Sequence, residues 1–423
     1  MKKSIILALF LILLVGSAST FAYFYYFNPL SSSKSSGDGD DNDDNGATSL
    51  GHVNIYVNYS ILSSISSSVA QYESDIQTQG YTTSLIGWTS LSVIALKAQI
   101  TNDYNSKGLK GAVLIGEMPY AIARGRDPYN NFYDYPCDLY LMDLDGSWTD
   151  LNGNGVYDLD WQQNPFPFEH SNGTGDDTPE IWIARIGNYT KNPGYNYANE
   201  LNSYFSRNFD LRHIQTLTYR PHKALLYIDD DWTSLTSEYV SNFTAYTGSE
   251  LDVYNDTAPL LTNSIQFMSN LTNPLFNPSF VYYELVHLMV HSWPYQHQFG
   301  PSGSGSQGFL TWNDVQTNNT EPLFYNLFAC YACNYTSWNN LGTQYLLTGD
   351  TITVVGCARS GGMSCYQPFY DSLKAGKIFG EAFKDWFHNT ELKQVFATPP
   401  SHWHEVYGMV MLGDPLATIY MSN

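Results

Sequence analysis

From residue 53 onward, apolar and polar positions fall into two alternating patterns. Short runs rich in Val, Ile, Leu and aromatic residues occur at 53–57, 82–87, 111–116 (GAVLIG), 180–186 (EIWIARI), 223–229 (KALLYID), 280–290, 323–329 and 351–357 (TITVVGC). Between them, residues 61–78, 90–106, 194–207, 232–245, 259–271, 338–347 and 368–388 carry the three- and four-residue apolar spacing of amphipathic helices. Strands that are apolar along almost their whole length need cover on both faces. Separated by helices, they predict an α/β fold built on a mostly parallel sheet flanked by helices. About 370 residues of this pattern exceed one typical core. Two α/β subdomains are therefore expected, at 51–215 and 216–423, divided just after the helix that ends near 208. The late LGDP, Leu412–Pro415, reads as a turn before a last short strand.

The segment ahead of this pattern is of a different kind. Residues 28–50, PLSSSKSSGDGDDNDDNGATSLG, carry too little apolar surface to fold and read as a disordered linker. Before them, Lys2 and Lys3 precede an apolar run from Ile5 to Val15 and the small residues Gly16–Ala18, the order found in export signals. Residues 1–27 thus read as a signal peptide cut after Ala18 or Ala22. Because apolar character resumes at Phe21–Phe27, they also read as an uncleaved anchor long enough to span a bilayer. Either way the folded part is expected to be secreted or anchored on the outer face of the cell membrane.

Composition narrows the partners. A net charge of −21, with only 19 Lys and Arg, argues against nucleic acid, whose phosphates need clustered cations. Eight Asn-x-Ser/Thr sequons, at Asn58, Asn172, Asn188, Asn242, Asn255, Asn270, Asn318 and Asn334, agree with an exported glycoprotein. Five cysteines leave one thiol over in an oxidising compartment. Cys357 and Cys365, around ARSGGMS, are one candidate bridge.

Two of the strand-like runs stop abruptly at chemically able residues. LMVHSWP stops at His291, and LFYNLFACYAC stops at Cys330. Parallel α/β sheets place their chemistry just beyond the carboxyl ends of strands. An imidazole and a thiol delivered there make a cysteine nucleophile with its acid/base partner. Taken singly, a buried thiol and a core histidine are the ordinary roles of such residues; the pair at strand ends is what points to catalysis. Cys330-x-x-Cys333 is also a redox spacing, but it lacks a thioredoxin-like context. His287 and His291 lie four apart and suggest a metal hydrolase. The surrounding VYYELVHLMV reads as a strand, where positions four apart are separated by about 13 Å. Leu288 also stands where the zinc motif needs a glutamate. No catalytic metal is expected.

A structural metal is expected elsewhere. Residues 150–158 read DLNGNGVYD. They place Asp150, Asn152, Asn154 and Asp158 at positions 1, 3, 5 and 9 of an EF-hand-type loop, with Gly155 at the sharp turn and the Val156 carbonyl at position 7. Such oxygen donors suit Ca²⁺. Position 12 is Trp161, so the usual bidentate glutamate is missing and Asp160 is the nearest substitute. A polar Asn-Gly hairpin turn is the alternative.

At the His and Cys segments the chain resembles the gingipain-like cysteine peptidases, relatives of caspases and legumains. That group shows a hydrophobic block followed by His-Gly, a spacer, and a second hydrophobic block ending in Ala-Cys. Here LMV-His291-Ser292 and LFYNLF-Ala329-Cys330 match in order and spacing. GAVLIGEMP, PEIWIARIG and the late VMLGDPLATIY are also similar to the group, as is LMDLDGSWTDLNGNGVYD. The similarity spans roughly residues 52–420 and implies a caspase-like sheet with the catalytic residues in the second subdomain. It implies Cys330 as nucleophile, His291 as general acid/base, and backbone N–H groups of Cys330 and Ser292 as the oxyanion hole. Ser292 replaces the family's glycine. The acidic residue that orients the histidine would be Asp231, at the end of ALLYIDDD, with Asp229 and Asp230 beside it. Glu238 lies in the region of the substrate-selecting acidic residue. The resemblance thus implies polypeptide substrates. A non-catalytic surface module that retains the fold is the alternative.

Overall fold

The computed structural model describes residues 49–126, 132–150, 155–158, 170–171, 173–176, 178–187, 197–213, 221–257, 262–272, 280–389 and 403–419. The expected signal or anchor segment, nearly all of the linker and residues 151–154 of the 150–158 loop lie outside them.

Ten strands form the main sheet: β1 (His52–Asn58), β2 (Thr82–Trp88), β3 (Leu109–Ile115), β4 (Trp182–Ile186), β5 (Ala224–Ile228), β6 (Leu251–Asn255), β7 (Leu285–Met289), β8 (Phe324–Phe328), β9 (Thr353–Cys357) and β10 (Met409–Gly413). Their spatial order is β6-β5-β7-β8-β9-β10-β4-β3-β1-β2. Every neighbouring pair is parallel except β9 with β10. This is the mixed α/β, mostly parallel architecture that the near-continuous apolar strands require. The outermost strands behave differently. TTSLIGW of β2 alternates in exposure and LDVYN of β6 is half-buried, as sheet edges are.

Residues 52–186 supply one side of this sheet and residues 224–413 the other; they meet where Leu412 of β10 pairs with Arg185 of β4. The last strand therefore runs into LGDP, ending at Gly413, rather than following it. The turn has its own task, because Asp414 is fully buried and gathers three side-chain donors besides the Leu416 N–H. Tyr72 Oη donates at 2.7 Å, Asn208 Nδ2 at 3.0 Å, and Arg212 forms an ion pair with the same carboxylate. These donors come from the helices Tyr59–Thr78 and Tyr197–His213.

Local sequence explains most helix limits. Asn58 caps the helix Tyr59–Thr78, its Oδ1 accepting from the Ser60 N–H at 2.9 Å. Ile65, Val69, Tyr72 and Ile76 then form its buried stripe. The expected helix 368–388 is two helices, Gln367–Lys374 and Phe379–Phe387, because Gly376 takes φ +78° between them. The expected helix 232–245 is a 3₁₀ turn, Asp230–Leu235, followed by a short α-helix, Thr236–Asn242.

Arg185 lies in the middle of the sheet and is almost wholly buried. Its guanidinium donates to Asp138 through Nε and Nη2, at 2.8–3.0 Å, and to the Pro119 carbonyl at 3.1 Å. Tyr335 Oη donates to the same Asp138 oxygen at 2.8 Å, and the guanidinium stands 4.4 Å from the Tyr335 ring. Removing one member of a buried pair leaves an uncompensated charge, at a cost of about 3–5 kcal/mol. Asp138→Ala is expected to lower the unfolding free energy by about that amount in urea titration; a loss below about 1 kcal/mol would show that the pair is not a structural tie.

Candidate active site

The carboxyl ends of β5, β7 and β8 converge at one edge of the sheet. Ile228 is in register with Met289, and Met289 with Phe328. The ladder continues past the strands, with Asp229 N–H donating to Met289 O at 2.9 Å and Val290 N–H donating to Phe328 O at 3.2 Å. His291 and Cys330 are each the second residue past these paired positions, and Asp231 is the third past Ile228. Adjacent parallel strands thus bring a carboxylate, an imidazole and a thiol to one edge.

Within this group His291 Nε2 lies 2.7 Å from Asp231 Oδ2. A carboxylate only accepts, so Nε2 carries the proton and Nδ1 is the basic nitrogen of the neutral ring. The Ser302 N–H donates to the same Asp231 oxygen at 2.9 Å. The Trp232 ring packs on the imidazole at 4.8 Å between centroids and also contacts Phe328. Gly303, at φ +65°, packs against the same histidine; a Cβ there would come within 3.0 Å of His291 Cβ and Cγ. The ring is held by a carboxylate, an indole and a glycine turn.

The neighbouring aspartates have different partners. Asp229 is buried and accepts from Thr262 Oγ1 at 2.7 Å and from the Gly300 N–H at 2.9 Å; burial raises its pKa. Asp230 accepts from Gln307 Nε2 at 3.3 Å, and burial together with Asp256 and Asp229 pushes its pKa up to about 7. Neither is bonded to His291.

Cys330 is half-buried. Its Sγ lies 3.5 Å from Ser360 Oγ and accepts from the Gly361 N–H at 3.3 Å. Both partners belong to the segment after β9, another parallel strand end. The sequence pattern marks that segment only as a candidate bridge. Its Ser-Gly-Gly turn signal at a strand terminus was the clue to look there. All five cysteines are thiols, Cys357 and Cys365 included. Cys333 is fully buried and its pKa is raised by burial, so it does not share the setting of Cys330.

Ser292 lies within the short strand His291–Trp293, which pairs with Gln296–Gln298 through a two-residue turn. In such a hairpin Trp293 and Gln296 are the hydrogen-bonded pair, so Ser292, opposite His297, directs its N–H away from the ladder. It is not among the residues with positive φ, so a glycine is not required there. Its hydroxyl donates within the hairpin, to Trp293 O at 2.9 Å and Gln296 O at 3.1 Å. Among the described residues no acceptor takes the Cys330 N–H.

Two other expected residues, His287 and Glu238, have different settings. His287 is fully buried, with Nδ1 2.8 Å from Tyr370 Oη and its ring against Phe243, Tyr366 and Tyr370; burial pulls its pKa down to about 3. It does not join His291 in a metal pair. Glu238 is exposed on the helix Thr236–Asn242 and acts on Tyr366 at the far end of the Ser360 segment. In the 150–158 loop, Asn152, Asn154 and the Asp158 side chain lie outside the described residues, while Asp150 Oδ2 accepts from the Gly155 N–H at 2.7 Å. Asp143, Asp145 and Glu180 are a further oxygen-donor group, with carboxylate atoms within 4.8 Å of one another. Sequence reading did not single them out, because Glu180 is remote in the chain.

Comparison with solved structures places this architecture. The chain is similar to the crystal structure of the Arg-specific cysteine proteinase gingipain R, with a TM-score of 0.59 at 14% identity over 88% of this chain and 79% of that one. The fold is the gingipain fold. Similar agreement is found with a structure described as a protease, at TM-score 0.58, 12% identity and 87% and 78% of the two chains. A third match is the complex of Porphyromonas gingivalis RgpB pro- and mature domains, at TM-score 0.57, 14% identity and 87% and 80% of the chains. No protein-family model matches the sequence. No curated protein matches it either.

Thiol chemistry gives a direct check on this gingipain-like edge. Brief treatment with iodoacetamide, followed by peptide mapping, is expected to label Cys330 well before Cys137, Cys333 and Cys357. Burial pushes the Cys137 thiol up to about 12, and Cys333 and Cys357 are fully enclosed. Uniform labelling of the five would show that Cys330 has no activated setting.

Proposed function

We propose that the protein is an exported cysteine endopeptidase that hydrolyses peptide bonds through Cys330 and His291. The observation that carries this reading is the Asp231–His291 hydrogen bond beside a thiol that leaves the adjacent strand at the same register. The peptidase-like fold supports it.

The chemistry follows from these groups. His291 Nδ1 takes the Cys330 proton, and Asp231 steadies the resulting imidazolium through Nε2. The Gly361 N–H donates to Sγ and Ser360 Oγ lies beside it, which positions the sulfur at the strand end. The thiolate attacks the scissile carbonyl, whose oxygen becomes an oxyanion stabilised by the N–H groups of Ser292 and Cys330. His291 then returns its proton to the leaving amine, and water hydrolyses the thioester. Ser292 has no positive φ that would call for the family's glycine, which supports the catalytic reading over a non-catalytic module.

Glu238 is the candidate for selecting a basic substrate side chain. Ca²⁺ is proposed as a structural ion held by Asp150, Asn152, Asn154, Val156 and Asp158. The oxygen donors in that segment fit a hard cation, and no catalytic step passes through it. Export, with glycosylation at sequons and membrane attachment through residues 1–27 if these are not cleaved, completes the proposal. Among the described residues no helix is long and apolar enough to cross a membrane.

The full chain and its Cys330→Ala variant, each with Ca²⁺ and a mild reductant, would digest a diverse peptide pool read by mass spectrometry. Cuts by the wild type alone are expected. Asp231→Asn should slow them by about 10²-fold or more. Equal cutting by wild type and Cys330→Ala would move the chemistry elsewhere, and no cutting by either would sink the peptidase reading. Separately, Ca²⁺ at a hundredfold excess over its Kd should stabilise the protein by about 2.7 kcal/mol in thermal unfolding. An unfolding temperature indifferent to Ca²⁺ and to a chelator would refute the calcium site.

A further inference from the structure

We infer that Trp293 and Tyr331 form a subsite for the substrate residue on the leaving-group side of the scissile bond, and that it selects an aromatic side chain there. This inference rests on the peptidase reading and adds a specificity to the same edge.

Trp293 follows Ser292 and Tyr331 follows Cys330, so each ring is attached next to one of the two N–H donors aimed at the reacting carbonyl. The rings are nearly parallel, 8° apart, with centroids 6.0 Å from one another. Tyr133, from the strand Phe132–Cys137 of residues 52–186, meets the Tyr331 ring edge-on at 5.9 Å. Although stacked, Trp293 is 51% exposed, which is unusual for an indole beside a well-packed core.

The pair is held in place from several directions. With the Gln298 amide oriented so that its oxygen meets donors, that oxygen accepts from Trp293 Nε1 at 2.6 Å and its nitrogen donates to Gly303 O at 2.7 Å. Gly303 is the residue packed against His291, so one glutamine links the indole to the turn that supports the imidazole. Tyr331 takes φ +62°, a conformation non-glycine residues adopt rarely, and its N–H donates to Arg359 O at 2.7 Å. The exposed indole face is thus fixed by its neighbours.

Strand geometry assigns the side. Residues two apart in a strand share a face, so within His291–Trp293 the imidazole and the indole lie on the same face of the hairpin. The leaving amine receives its proton from His291 and departs along that face. The acyl half becomes bonded to Sγ, which faces Ser360 and Gly361, while the Tyr331 ring packs on Trp293 and Tyr133. Aromatic rings offered an exposed π-face gain by offset stacking or edge contact. A flat substrate ring just past the cleaved bond meets such a face; a methyl group does not.

Two peptide pools test this, identical except for Phe or Ala at one fixed position and with every residue represented immediately before it. The full-length wild type is expected to cut before Phe about tenfold faster than before Ala. In Trp293→Ala and Tyr331→Ala that ratio should fall to about one, while Trp293→Phe and Tyr331→Phe should retain most of it. A wild-type ratio near one, or a ratio that survives both alanine variants, overturns the subsite. If the wild type cuts neither pool, the peptidase reading fails, and binding of the pools to the Cys330→Ala protein decides the inference alone. Selective retention of the Phe pool, abolished by adding Trp293→Ala, would keep it; equal retention of the two pools would end it.

Discussion

The backbone ladder across β5, β7 and β8 is the constraint on which the candidate chemistry depends. Parallel strands in fixed register end at the same level, and here the ladder runs one residue beyond the strands through the Asp229 and Val290 amides. That extension fixes where the chain leaves the sheet, and so where Asp231, His291 and Cys330 begin. A slip of one residue would turn every side chain on a strand to the opposite face. Strong burial on both faces makes such a slip costly. Leu226, Ile228 and Met289 are fully enclosed on the face that also receives Trp232 and Phe328.

Support for the imidazole comes from outside these strands. The segment Gly300–Gly303 supplies an amide to Asp229, an amide to Asp231 and a glycine surface to His291. Asp229 therefore stabilises the turn while Asp231 orients the ring, which gives two adjacent carboxylates separate tasks. The same economy appears around the thiol. Arg359 lies near Tyr133 and Tyr135, its carbonyl receives the Tyr331 amide, and the next two residues approach Sγ. Residues from both sides of the sheet thus reach the edge where Cys330 lies. Burial of the Arg185–Asp138–Tyr335 group ties those sides together a few residues beyond Cys330.

Much of the architecture was legible in local pattern. Apolar runs marked the interior strands because a strand covered on both faces has no polar positions to alternate. Edges and breaks were less visible. Gly376 divides one expected helix by taking a left-handed conformation, and a single glycine within an otherwise helical period does not announce that choice. The LGDP segment reads as a turn before the last strand, yet the strand runs into it as far as Gly413 and Asp414 is buried beneath three side-chain donors. Its partners are hundreds of residues away, beyond any local periodicity.

For the candidate site, the sequence by itself determined which residue types stand at the ends of apolar runs, because an abrupt change from Val, Leu and Phe to His or Cys is written in the chain. It also kept three aspartates in contention, since residues 229–231 are chemically alike and adjacent. Only the tertiary structure decided among them: the 2.7 Å contact selects Asp231, while burial directs Asp229 and Asp230 to other partners. Likewise, the placement of Ser360 and Gly361 at the thiol, and of Trp293 against Tyr331, depends on contacts between segments about thirty to forty residues apart. Local pattern records which face of an element is apolar; it carries no distance between two polar groups that meet only after the sheet has closed.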